Sequence, residues 1–127
     1  MTPNFLVPET VVRAAGVGPE LDLGESPGEL VLVTLGITRI VEQESLDIAI
    51  LGSADNQTWG SKPLLAFPQK FYCGVYQMCL DLSAYPGIRY IRARWSLNRW
   101  GRGSSEPLFG IYMFVQDASR QVMAMSA

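Results

Sequence analysis

Apolar and polar residues alternate with a period of two through most of this chain, in short runs separated by Gly, Pro, Asn and Asp. That pattern predicts half-buried β-strands and no long helix. The longest run, Glu29–Val41, puts Val31, Val33, Leu35 and Ile37 on one face and predicts a central core strand, with Gly36 marking a bulge or a close approach. Leu46–Leu51 turns Leu46, Ile48 and Ile50 inward and Asp47 outward, and the polar loop Gly52–Gly60, closed by Trp59, follows it. Shorter strands are predicted at Thr10–Ala15, Leu21–Leu23, Pro63–Phe67 and Gly74–Leu82. The stretch Ile88–Gly103, IRYIRARWSLNRWGRG, places Ile91, Ala93, Trp95 and Leu97 on one side and Tyr90, Arg92, Arg94, Ser96 and Asn98 on the other. Leu108–Gln116 is apolar on both faces and predicts a strand covered on both sides.

About eight strands at even spacing predict an all-β fold, a two-sheet antiparallel β-sandwich of jelly-roll type with extended N- and C-terminal arms. With 127 residues, 48% of them hydrophobic, the chain fits a single domain over 1–127. Within it, 1–9 reads as an uncharged arm lying on its own domain or on a neighbour, 10–117 as the sandwich and 118–127 as a tail. No apolar run is long enough for a membrane span, and MTPNFLVPET lacks the basic start and apolar stretch of a signal peptide. The expectation is cytoplasmic synthesis without such a signal and no membrane partner.

Charge changes the picture only when divided along the chain. The total is −2, but residues 1–55 carry nine acids against Arg13 and Arg39, a net of −7. Residues 56–102 carry Lys62, Lys70 and five arginines against Asp81, a net of +6. Either these charges cancel between neighbouring strands, or the subunit has an acidic and a basic side suited to packing against copies of itself. Cys73 and Cys79, if on one strand, stand about 20 Å apart, too far for a disulfide, and read as reduced thiols.

The chain has no histidine, which excludes Ser-His-Asp and Cys-His nucleophile pairs and any histidine metal site. The carboxylates have no spacing that pairs them for acid–base work. Asp55 with Ser53 is a poor calcium site and a good Asx-type turn. No enzyme activity, cofactor or metal is expected.

Two resemblances are carried by short motifs. LDIAILGSADNQTWG resembles the strand and Ser-x-Asp-Gly-x-x-Trp loop of discoidin-like, galactose-binding-like sandwiches, with Asn56 in place of the glycine, and RYIRARW resembles a later strand of the same families. Those motifs, together with LVLVTLGIT, also resemble small structural proteins coded in tailed-phage and prophage regions, such as head-decoration proteins. The second resemblance implies a virion or particle surface and an assembly role. The alternative is a carbohydrate-binding module of discoidin-like shape, in which Trp59 or Trp100 stacks on a sugar and Arg92 and Arg102 hold hydroxyls.

The arginine and aromatic set is the candidate contact surface: Arg89, Arg92, Arg94, Arg99 and Arg102 with Tyr90, Trp100 and Trp59, joined by Phe5 and Leu6 from the N-terminal segment. A sequence pI near 5.0 argues against nucleic acid as the main partner. The partner expected is a second copy or a capsid-type assembly, and the alternative is a glycan.

Overall fold

The computed structural model describes residues 4–24, 30–41, 43–60, 62–100 and 107–118. These form nine strands, β1 (Asn4–Val12), β2 (Gly16–Val17), β3 (Leu21–Asp22), β4 (Leu30–Ile40), β5 (Glu44–Ser53), β6 (Leu65–Ala66), β7 (Gly74–Asp81), β8 (Tyr90–Arg99) and β9 (Phe109–Ala118), with one 3-10 turn at Leu82–Ala84. One sheet, here sheet A, runs β1-β9-β4-β7; the other, sheet B, runs β2-β8-β5-β6, with β3 also on β8. All pairings are antiparallel. The fold is the β-sandwich that the alternation predicts.

The inward faces meet in a core of 20 buried residues. Val31, Val33, Leu35 and Ile37 of β4 and Leu46, Ile48 and Ile50 of β5 lie in it as read from the sequence, with Phe109, Ile111, Met113 and Val115 of β9. Each such side chain contributes about 1.5–3 kcal/mol on burial, against at most about 1 kcal/mol for an exposed ion pair. The core therefore holds the sandwich together, and the uneven charge along the chain does not.

The structure moves several boundaries. From Asn4 onward the N-terminal segment lies on its own domain as part of an edge strand rather than an arm ahead of one: Phe5 pairs with Phe114, and Leu6 and Val7 are buried. Pro63–Phe67 shrinks to Leu65–Ala66, since proline at 63 and 68 withholds ladder donors on both sides. Cys73 falls outside β7, and neither cysteine forms a disulfide. The expected cover on both faces of the last strand is corrected: its inward face is buried, but no element among the described residues lies over Tyr112 and Phe114. Two outward aromatics make that strand look doubly buried in sequence. The tail beyond Ala118 lies outside the described residues.

Glu44 begins β5 on the core-facing side and is 2% exposed. Its two carboxylate oxygens accept from the Val41 amide at 2.7 Å and the Leu108 amide at 2.8 Å. One side chain thus ties the β4–β5 turn of one end to the start of β9, and no sequence motif marked it.

Candidate interaction surfaces

The arginines of the β8 stretch do not form one stripe. Arg92 and Arg94 share the outward face of sheet B, opposite Leu51 and Ala49 of β5. Arg89 precedes the strand and makes a two-pronged ion pair with Asp22, at 2.9 and 3.0 Å. That guanidinium, helped by the Gly24 amide, holds the exposed Asp22 carboxyl below its ordinary value. Arg99 has the parity of the core-facing residues, is half-buried and stands across from Glu44. Arg102 lies outside the described residues. Tyr90 sits opposite Ser53, with the Arg89 guanidinium 5.5 Å from its ring.

Arg92 stacks on Trp59, 4.3 Å from the ring centroid. This cation–π contact is a built-in part of the domain, and it occupies a face of the indole that a sugar would need. Trp100 stands eight positions further along than Arg92, about 25 Å at the usual strand rise. Trp59 and Trp100 therefore do not converge on a single sugar ring. Trp95 closes the core near β2, donating its ring N–H to the Ala14 carbonyl at 3.1 Å.

Four of the nine acids of the first half are engaged inside the domain. Asp22 is bound to Arg89, Glu44 is buried, and Asp47 accepts from the Gln69 amide group at 3.0 Å. Asp55 organises its own loop: one carboxylate oxygen accepts from the Gln57 amide at 2.9 Å, the Thr58 amide at 2.8 Å and the Ser53 hydroxyl at 3.0 Å. Asn56 takes the left-handed backbone, φ 61°, that its place in the loop requires. This is the Asx-type turn expected from the sequence.

The Thr58 and Gln57 amides, in that order, and then the Ser53 hydroxyl lower the Asp55 pKa from 3.8 to about 2. Because the folded value is depressed, the carboxylate steadies the loop fully above the unfolded value and loses that effect as pH falls through about 2. The amide resonances of Gln57 and Thr58 are expected to titrate with a midpoint near 2; a midpoint at the ordinary 3.8 would show that the turn is not held by the carboxylate.

The outward face of sheet A joins Phe5, named from the sequence, to two aromatics that were not singled out there. Phe5, 61% exposed, meets Phe114 edge-on at 6.1 Å, and Phe114 stacks on Tyr112 at 6.2 Å with the rings 5° apart. Gly36 of β4, in register with Tyr112, leaves room for that ring to lie over the strand, so the glycine marks a close approach and not a bulge. Leu6, the neighbour of Phe5, points into the core and is fully buried.

A second aromatic cluster surrounds Trp100, which is 54% exposed. Phe71 meets it edge-on at 6.1 Å and the 73%-exposed Tyr72 at 6.4 Å. Lys70 lies 3.9 Å over the Tyr76 ring beside them. A groove of about 560 Å³ opens elsewhere on sheet B, lined among others by Val17, Ala49, Pro63 and Ala66 and by the charged Asp47 and Arg94. Tyr112 and Phe114 were legible as outward positions of β9; Phe71 and Tyr72 lie between strands, where alternation carries no signal.

No protein-family model matches the chain, and no curated protein matches it. Its structure is similar to the crystal structure of the SPBc2 prophage-derived protein YomS, at 12% sequence identity and a TM-score of 0.48, over 91% of this chain and 96% of that one.

Proposed function

We propose that this chain is a non-enzymatic structural subunit of a virion or virion-like particle, assembling with copies of itself or decorating a larger surface. The observation that supports the reading is the uncovered aromatic row Phe5–Phe114–Tyr112 on sheet A. Phe5 is exposed and the other two rings are half-buried, and aromatics left this far in water are costly and mark contact surfaces. Phe5 and Trp100 keep the interface role read from the sequence, whereas Arg89 and Arg92 are engaged within the subunit. We also read the strand order as a jelly roll, with β2 and β3 as one interrupted strand: first pairs with last in one sheet, and second with second-last in the other.

Light scattering and negative-stain microscopy of the purified chain are expected to show masses above 14.0 kDa. Phe5→Glu with Trp100→Glu, both at exposed positions, is expected to reduce the largest species with no loss of β-sheet signal. A monomer at every concentration overturns the reading.

The second reading, a carbohydrate-binding module, is favoured by the open Trp100–Phe71–Tyr72 cluster alone. Aromatic rings of this kind stack on sugar faces while neighbouring polar groups hold hydroxyls. A glycan array with hits abolished by Trp100→Ala would move the assignment to it.

A further inference from the structure

A sandwich has four outer strand edges, and each is a row of backbone donors and acceptors able to take on another strand. Three of those edges are blunted here. β1 contains Pro8 and Glu9, and its pairing to β9 is broken by two register shifts. β2 and β3 are two residues each, with Pro19 between them. β6 is two residues long between Pro63 and Pro68.

The fourth edge, β7, is different. It pairs with β4 over eight residues in unbroken register, from Leu30 with Asp81 to Ile37 with Gly74. No charge and no proline occurs between Gly74 and Leu80. Val75, 63% exposed, and Gln77 point outward, and among the described residues no strand pairs with its far side.

We infer that β7 is the site at which a second copy of this chain adds, antiparallel across a two-fold axis near Gln77, so that two four-stranded sheets become one of eight. The inference rests on the self-assembly reading above and names its contact. An antiparallel edge is self-complementary under a two-fold. The charges at its ends agree with that geometry. Asp81 closes the C-terminal end of β7, and Lys70, held over Tyr76, stands near the N-terminal end. Antiparallel pairing brings Asp81 of one subunit towards Lys70 of the other, and keeps the two aspartates apart.

Length sets the strength. Eight residues span about 26 Å, and a sheet is about 10 Å thick, so the edge buries on the order of 300 Å² per subunit. A standard interface buries about 800 Å². The pair is therefore a weak one by itself, reinforced by Tyr72 beside the strand and by further contacts in an assembly.

The test combines light scattering with hydrogen exchange on the full chain across a concentration series. Wild type is expected to reach at least twice 14.0 kDa at high concentration, with β7 amides gaining protection there and losing it on dilution. Val75→Lys with Gln77→Lys, both on exposed positions, is expected to remove the dimer and to leave the thermal unfolding temperature within a few degrees of wild type. Phe5→Glu with Trp100→Glu is expected to keep the dimer. Assembly that persists unchanged in the lysine variant, with β7 amides equally exposed at all concentrations, overturns the β7 contact and leaves self-assembly standing. A wild-type monomer throughout overturns both. If the lysine variant fails to fold, the concentration dependence of the wild-type β7 amides alone decides.

Discussion

Glu44→Ala is expected to lower the unfolding temperature by on the order of 10–20 °C, the largest effect of any single polar substitution in this chain. Its carboxylate accepts from two amides, Val41 three residues before it and Leu108 64 residues after it. Alanine leaves both without it, at about 1–3 kcal/mol for each buried unsatisfied group. For a domain of this size 1 kcal/mol corresponds to roughly 4 °C. Glu44→Gln separates the causes: one amide oxygen still accepts, while the amide nitrogen faces a donor, so an intermediate loss is expected. Calorimetry on both variants checks the order wild type, Gln, Ala. An alanine variant as stable as wild type would mean that water replaces the carboxylate at both ends.

Gly36→Val is expected to destabilise by about 1–3 kcal/mol, the range for forcing extra atoms into a packed site, and to disturb the aromatic row at the same time. Any Cβ at position 36 falls on the Tyr112 ring. The ring has to leave β4, and its stacking on Phe114 goes with it. The Tyr112→Ala change removes the obstacle, so the double variant Gly36→Val with Tyr112→Ala is expected to be more stable than the sum of the two losses allows. Additive losses in denaturant unfolding would place the strain in the β4 backbone instead. Since the same rings supply the proposed contact surface, Gly36→Val is also expected to weaken assembly.

Much of the fold was legible because alternation is local. Val31, Val33, Leu35 and Ile37, or Ile91, Ala93 and Leu97, declare a common face by their spacing alone, and the core contains them, with Leu97 half-buried against it. The same logic told that Arg92 and Arg94 share a side, and the loop chemistry of Ser53, Asp55 and Asn56 was readable within six residues of chain. The site was less legible. Alternation says that Tyr112 and Phe114 oppose Met113, but not whether another layer covers them, because cover comes from segments distant in sequence. On β9 it led to an expected double-sided burial, whereas among the described residues Tyr112 and Phe114 are only half-buried.

Sequence by itself therefore determined the period, the strand class, the inward set and the absence of histidine chemistry. Only the tertiary structure decided how the charges are spent and which surfaces remain. Arg89 meets Asp22 from 67 residues away, Glu44 reaches Leu108, and Arg92 turns onto Trp59. Side-chain direction along a strand follows from local backbone geometry, whereas a partner across the sheet follows from which strands pair. In this sandwich that pairing joins first strand to last, and so, among the described residues, leaves the aromatic face of sheet A and the far edge of β7 to the outside.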